Sequence, residues 1–247
     1  MVTHISQRRT QFSYFDHVLD HPVWRGSKIL DFGGNVGGFL DGARDCVDHD
    51  DYWCLDVTKA AIDQGQQRFP RAHFVHYNRY SSYFNPDGVH YLPVPDLGLR
   101  FGIIMAFSVF THTHRNEMME LVWQLRSKLD ANGILAFTFF DPSYDQSLTN
   151  PALPPRTGIL SMFDSSSDDL RAKLQLGWCV TIDGEVILEA GKEFCQQKRR
   201  GRPGESYTSG FTTSYMRSLF PDATIRAPVP PETQHCCILR NTEEPRT

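Results

Sequence analysis

Residues 28–40 read KILDFGGNVGGFL and carry glycine at four of the six positions from 33 to 38. An apolar run precedes these glycines, and a segment that can form a helix follows them. Each glycine costs about 0.5–1 kcal/mol relative to alanine in a regular element, because it loses the most backbone freedom on folding. A turn so rich in glycine is therefore expected to let another group approach the backbone closely. The free N–H groups of the helix that follows favour an anionic group there.

Strand-like and helix-like segments alternate along the first part of the chain. The strand candidates are residues 28–32, 51–57, 72–78, 101–110 and 134–141, and the helix candidates are 36–46, 58–69 and 115–130. Thr58 is expected to cap the second helix and Pro70 to end it, while Asn132-Gly133 ends the third. Such alternation predicts an α/β fold with a parallel sheet between two layers of helices.

The pattern changes after Asp141, where a proline-rich stretch begins. Further along, Asp183-Gly184 is typical of a hairpin turn, and a helix and two strands are predicted near the end. We therefore expect a single domain over residues 1–247. Its parts are an N-terminal lid segment 1–25, a core 26–141, an insertion that forms a cap 142–206, and a closing helix and strands 207–241.

Composition excludes several classes of function. The 247 residues carry a formal net charge of −4, and 40% of them are hydrophobic. This mild acidity provides no general attraction for nucleic acid, and the short basic run at 197–202 is read as a solvated loop. No apolar stretch approaches the length of a membrane helix, and residues 1–12 lack the apolar core of a signal peptide. We expect a soluble, cytoplasmic protein.

Cysteine spacing favours neither a zinc site nor a redox pair. The six cysteines form no CxxC motif. Those in apolar, strand-like stretches are expected to be reduced core residues. These are Cys54, Cys179, Cys236 and Cys237.

Polar and glycine residues follow each predicted strand at its carboxyl end, where open α/β sheets bind their ligands. They are Asp31 with the glycine turn, Asp56, Asn78, Phe107 with Ser108, and Asp141. The carboxylate of Asp56 can accept two hydrogen bonds from a ribose diol. Asn78 offers both a donor and an acceptor, which suit the edge of an adenine ring.

These segments resemble the class I S-adenosylmethionine-dependent methyltransferases. Residues 30–39, LDFGGNVGGF, resemble the first motif of that family, an acid followed by a glycine-rich loop. Residues 52–65 resemble its second strand with a ribose-binding acid. Residues 101–140 are similar to its fourth strand, the following helix and its fifth strand. The resemblance covers about residues 26–141.

The resemblance implies a Rossmann-like three-layer sandwich whose seven-stranded, mostly parallel sheet has an antiparallel C-terminal strand. It implies S-adenosyl-L-methionine as the cofactor and S-adenosyl-L-homocysteine as its product. The residues it assigns to the cofactor are Asp31, Gly33, Gly34, Asn35 and Gly37 at the methionine part, Asp56 at the ribose, Val57, Tyr77 and Asn78 at the adenine, and Phe107 and Ser108 at the amino acid end.

Two positions depart from the family pattern. Asn35 stands where glycine is common, and Asn78 stands where an acid is common. A nicotinamide dinucleotide is the rival cofactor, but its GxGxxG motif would need glycine at position 35 to let the pyrophosphate approach. Methyl transfer is therefore favoured over hydride transfer.

The residues around the methyl acceptor are less constrained by the sequence. His112 and His114 are candidate general bases, and His114 is expected to face solvent. With Asp141 they give an incomplete magnesium site, so no metal is predicted. The aromatic residues expected to cover the acceptor are Tyr14, Phe15, Tyr83 and Tyr144.

We expect methylation of a small molecule at oxygen or nitrogen, in secondary metabolism. One alternative is a methyltransferase that acts on RNA or protein, which would need a wide basic rim around the site. Another is a catalytically silent homologue that only binds the cofactor.

Overall fold

The structure is a computed structural model that describes residues 3–141, 178–182, 185–187, 207–229 and 232–241. The helices are α1 (Thr3–Val18), α2 (Gly38–Ala43), α3 (Lys59–Arg68), α4 (Arg115–Arg126) and α5 (Thr213–Leu219). The strands are β1 (Ile29–Phe32), β2 (Tyr52–Asp56), β3 (His73–His76), β4 (Phe101–Ala106), β5 (Leu129–Phe139), β6 (Trp178–Ile182), β7 (Glu185–Ile187), β8 (Tyr207–Phe211), β9 (Thr224–Arg226) and β10 (His235–Arg240).

Seven strands form the main sheet in the order β3-β2-β1-β4-β5-β10-β9. Strands β1 to β5 are parallel to one another, whereas β10 runs antiparallel to both β5 and β9. This confirms the predicted sheet and its antiparallel C-terminal strand. Because β1 lies between β2 and β4, the loops that follow these three strands meet at one edge.

Two apolar clusters cover the two faces of this sheet. One contains the inner residues of α4, such as Leu121 and Leu125, together with Met216 of α5. The other contains Phe39 of α2 and Ile62 of α3. The central strands are buried on both sides, which explains why β4 reads as a continuous apolar run, whereas β1 is interrupted by the buried Asp31.

The boundary between α4 and β5 differs from the prediction. Helix α4 ends at Arg126 and β5 begins at Leu129, so Asn132-Gly133 lies inside the strand instead of ending the helix. Phe101 pairs with Leu129 and Ile103 pairs with Ile134, so the pairing shifts register between these two positions. The Asn-Gly turn thus forms an irregularity within the parallel pair.

The N-terminal segment forms a helix that packs against α2. Tyr14 and Phe15 of α1 are 3% and 1% exposed, in the same apolar cluster as Phe39. These two side chains, which were expected to cover the methyl acceptor, therefore belong to the helix layer that α1 completes.

A second, three-stranded sheet has the order β7-β6-β8. Strands β6 and β7 pair antiparallel from Ile182 with Glu185, as the predicted hairpin requires. Strand β8 meets the main sheet where the Phe211 N–H donates to the Phe140 carbonyl at 2.7 Å. The turn residues 183 and 184 and the basic run 197–202 lie outside the described residues.

None of the helices in the described ranges combines the length and apolar character needed to cross a bilayer. Within the same ranges, Cys54, Cys236 and Cys237 are buried free thiols, as predicted for core residues.

Candidate active site

The glycine turn follows β1 directly and has left-handed backbone at three positions. The φ angles are +76° at Gly33, +53° at Asn35 and +79° at Gly37. A Cβ on Gly33 would lie 2.3 Å from Cγ2 of Val109, and one on Gly34 would lie 2.5 Å from the Asp31 carboxyl carbon. The protein's own packing therefore requires glycine at 33 and 34, before any ligand is considered.

Asn35 tolerates the left-handed conformation that glycine usually provides at this position. Asparagine is among the few non-glycine residues that adopt it at low cost, because its short side chain bonds locally. Its Oδ1 accepts a hydrogen bond from the Val36 N–H at 2.9 Å. The departure from the family pattern at Asn35 is thus accommodated by the backbone.

Asp56 ties the glycine turn to the end of β2. One of its carboxylate oxygens accepts from the Asn35 N–H at 2.9 Å, and the other accepts from the Thr58 N–H at 2.7 Å. Thr58 occupies the expected N-cap position of α3. Each carboxylate oxygen has a second lone pair, so Asp56 can accept further hydrogen bonds from a ligand.

Asp31 lies beneath this turn and is 4% exposed. The Tyr52 hydroxyl donates to its Oδ2 at 2.6 Å. Burial raises the pKa of the Asp31 carboxyl to about 7, the Tyr52 hydrogen bond opposes that rise, and the charge of Asp56 adds to it. The site therefore contains an acid whose protonation changes near neutral pH.

A closed ring of hydrogen bonds holds the turn after β4. Ser108 has a φ of +58°, and its N–H donates to Oγ1 of Thr138 at 2.7 Å. The Thr138 hydroxyl donates to Oε1 of Gln234 at 2.6 Å. Nε2 of Gln234 donates back to Oγ of Ser108 at 3.0 Å. This ring, which joins β4, β5 and the residue before β10, fixes Ser108 in an uncommon conformation.

The two candidate bases lie in different environments. His112 ends the 3-10 turn Phe110–His112 and is half-buried, and its ring packs edge-to-face on Phe84 with centroids 5.5 Å apart. His114 is 6% exposed and caps α4, where its Nδ1 accepts from the Asn116 N–H at 3.2 Å. The expectation that His114 faces solvent is wrong, because the residue serves as the helix cap.

Asp141 also has a structural partner. Its Oδ2 accepts hydrogen bonds from the backbone N–H and the hydroxyl of Thr213, at 2.8 and 2.7 Å, at the start of α5. In the described part of the chain, no group of three or more His, Cys, Asp or Glu side chains is arranged to hold a metal ion.

The residues assigned to the adenine side separate into two groups. Tyr77 is 2% exposed in the core, and its hydroxyl donates to the Leu92 carbonyl at 2.5 Å. Val57 is half-buried and Asn78 is exposed. Contact between the Tyr77 side chain and an adenine would need this core to open, so Val57 and Asn78 are the better placed candidates.

The aromatic residues expected around the acceptor also differ in how far they are exposed. Tyr14 is buried, its hydroxyl donates to the Gln234 carbonyl at 3.2 Å, and its ring meets that of Phe107 edge-to-face. Burial raises the pKa of the Tyr14 phenol well above its usual value. Tyr83 is 53% exposed, and Tyr144 lies outside the described residues.

Solved structures resemble this chain over nearly its whole length. A methyltransferase dependent on S-adenosylmethionine from Clostridium acetobutylicum aligns with a TM-score of 0.55 at 8% identity, over 96% of this chain and 92% of its own. CalS10, an amino pentose methyltransferase from Micromonospora echinaspora solved with S-adenosylmethionine bound, aligns with a TM-score of 0.52 at 12% identity, over 97% and 92%. The glycopeptide N-methyltransferase MtfA aligns with a TM-score of 0.51 at 12% identity, over 94% of this chain and 89% of its own.

The chain has the fold of the S-adenosylmethionine-dependent methyltransferases. The Rossmann-like expectation is therefore confirmed at the level of the fold. No protein-family model and no curated protein sequence matches the chain.

Within this methyltransferase fold, the ring at Ser108 is the feature that sequence reasoning missed. Ser108 was assigned, but its partners Thr138 and Gln234 are 30 and 126 positions away. The sequence signal available for Gln234 was its position just before the closing strand. Its amide lies at the start of β10, which is beside the carboxyl end of β5 because the two strands are antiparallel.

Proposed function

We propose that this chain is a methyltransferase that moves the methyl group of S-adenosylmethionine to oxygen or nitrogen of a small molecule. The observation that carries the proposal is the link between the Asn35 N–H and the Asp56 carboxylate, 2.9 Å long. It sets a glycine turn and an acid side by side at the carboxyl edge of a sheet with the methyltransferase strand order. Together they suit a nucleoside joined to an amino acid.

Asp56 would hold the ribose hydroxyls with its remaining lone pairs, while Val57 lies against the adenine and Asn78 bonds its edge. The glycine turn and the backbone of Phe107 would hold the amino acid end. Asp31 supports this end from beneath and carries negative charge above its pKa of about 7. Because the cofactor is cationic at its amino group, an ionised Asp31 favours its binding.

The bound cofactor supplies an electrophilic methyl group on a sulfonium. The acceptor's lone pair forms the new bond to the methyl carbon, and the electrons of the broken carbon–sulfur bond return to sulfur. The protein's part is to align the two groups and exclude water. We assign to His112 the removal of the acceptor's proton, because Nδ1 of His114 accepts a hydrogen bond from the backbone.

The small sheet lies beside the turn that carries His112. Oγ of Ser209 in β8 donates to the Thr113 carbonyl at 2.6 Å, directly after His112. Gly210 bridges to Phe140 at the end of β5. A second layer therefore stands beside the turn that carries the candidate base. The named neighbours act on an amino pentose and a glycopeptide, which supports a natural-product acceptor and a place in secondary metabolism.

Turnover can be tested without knowing the acceptor. Purified protein and S-adenosylmethionine are incubated with a cell extract divided by ultrafiltration, and S-adenosylhomocysteine is measured by mass spectrometry. We expect product with the low-molecular-weight fraction and its loss in Asp56→Ala. Asp63→Ala, which removes an exposed acid of α3, is the matched control.

The other outcomes separate the alternatives. Product formed only with the retained fraction would indicate an RNA or protein substrate and contradict the small-molecule assignment. No product with either fraction, although the cofactor binds, would indicate a silent homologue.

A further inference from the structure

Exposed apolar side chains concentrate in the loop between β3 and β4. Four of the six large hydrophobic residues exposed in the described part of the chain fall within nine positions. These four are Tyr83, Phe84, Val89 and Tyr91. A soluble protein rarely exposes apolar surface in one place without a binding role. We call residues 79–92 the aromatic loop.

A buried arginine fixes the aromatic loop to α4. Arg79 is 3% exposed, and its guanidinium bonds the carboxylates of Glu117 and Glu120, each at 3.1 Å, and the Leu92 carbonyl at 2.7 Å. Bridges between Arg79 and Val89 and between Ser81 and Asn85 close the loop on itself. The exposed rings are thus presented by a backbone tied at both ends.

Three aromatic rings of this region form two consecutive edge-to-face pairs. Tyr83 and Phe84 meet edge-to-face, with centroids 4.9 Å apart and planes at 88°. Phe84 and His112 meet in the same manner, with centroids 5.5 Å apart and planes at 82°. Perpendicular rings form a corner in which a flat guest can stack on one face and touch the edge of the next.

This corner is continuous with the glycine turn. The His112 N–H donates to the Val109 carbonyl at 3.0 Å, so the two residues belong to one short turn. Val109 in turn packs where a Cβ of Gly33 would be. One turn therefore touches the proposed cofactor loop on one side and the aromatic loop on the other.

We propose that Tyr83 and Phe84, together with His112, form the wall that binds the methyl acceptor, and that the acceptor is a planar aromatic compound with a hydroxyl or amino group. This inference rests on the proposed function. It goes further by excluding saturated acceptors such as the amino pentose of CalS10, which offer no flat face to stack, so that neighbour supports only the general class of natural products. It also places the reacting hydroxyl or amine beside His112.

The test uses 2-naphthol and its saturated counterpart decahydro-2-naphthol, which share a carbon skeleton but not a planar ring system. Each is titrated by calorimetry into protein saturated with S-adenosylhomocysteine. We expect 2-naphthol to bind about tenfold more tightly than the saturated alcohol. Phe84→Ala should remove that preference, and Phe84→Leu should too, because it keeps apolar volume without a ring face.

Trp123→Ala is the matched control, since Trp123 is an aromatic residue of α4 that is 57% exposed. It should leave 2-naphthol binding unchanged, and the Phe84 variants should bind S-adenosylhomocysteine as tightly as the wild type. Equal affinity for the two alcohols, absence of 2-naphthol binding, or a Phe84→Ala variant with wild-type preference would each overturn the inference. If these results occur while S-adenosylhomocysteine still binds, the proposed function survives. If S-adenosylhomocysteine does not bind, the proposed function itself fails.

Discussion

Asp31 should make the protein less stable as pH rises, and Asp31→Asn should remove that effect. The folded-state pKa of about 7 lies above the reference value of 3.8. Between these values the unfolded chain has lost the proton that the folded chain still holds, so the free energy of unfolding falls with rising pH. At about 1.4 kcal/mol per pKa unit, the full loss above pH 7 is about 4 kcal/mol.

Asparagine is neutral throughout this range and its carbonyl oxygen can still accept from the Tyr52 hydroxyl. The stability of Asp31→Asn relative to wild type should therefore increase by up to about 4 kcal/mol between about pH 4 and pH 8. Urea unfolding followed by circular dichroism measures this difference, and subtraction cancels the other titrating groups. Asp63→Asn, at an exposed acid, should show no such trend.

A difference that stays constant with pH would refute the account of Asp31, because it would mean that the carboxyl ionises as easily in the folded chain as in the unfolded one.

Cofactor binding should follow the opposite trend. Since ionised Asp31 favours the cationic amino group, S-adenosylhomocysteine affinity should rise from about pH 6 to about pH 8 in the wild type and not in Asp31→Asn.

Three further predictions concern the site. Asp56→Ala should weaken S-adenosylhomocysteine binding by about 1.5–3 kcal/mol in calorimetry, because it removes charge-assisted hydrogen bonds, and unchanged affinity would exclude Asp56 from the ribose site. His112→Ala should lower the turnover rate, whereas His114→Ala should mainly cost about 1 kcal/mol of stability through loss of the helix cap; wild-type turnover in His112→Ala would remove His112 from its role. Gln234→Leu should destabilise the chain by about 1–3 kcal/mol, because Thr138 and Ser108 lose buried partners, and Gln234→Glu should recover part of that loss in urea unfolding; equal stability of Gln234→Leu and wild type would contradict the hydrogen-bonded ring.

The positions of the proposed cofactor residues at one edge of the sheet were predictable, because each of them follows its strand directly. The glycine turn, Asp31 and Asp56 each follow a strand that can be read from its apolar run, and parallel strands bring their carboxyl ends to one edge. The same reasoning placed Asn78 at that edge, where it is exposed.

The remaining features depend on contacts that sequence spacing does not encode. Asn132-Gly133 predicts a turn, but only the pairing with β4 shows that the turn interrupts a strand. His114 precedes a helix in a polar stretch, so its burial follows from packing of the helix start. Tyr14 belongs to a helix with little amphipathic pattern, and its burial depends on α2.

The central claim is that the edge of the sheet beside Asp56 binds the nucleoside of the methyl donor. Isothermal titration calorimetry of the purified chain with S-adenosylhomocysteine tests this most directly. We predict saturable binding of one molecule per chain, with the affinity reduced in Asp56→Ala and retained in Asp63→Ala. No binding of either S-adenosylhomocysteine or S-adenosylmethionine to the folded wild-type chain would contradict the claim.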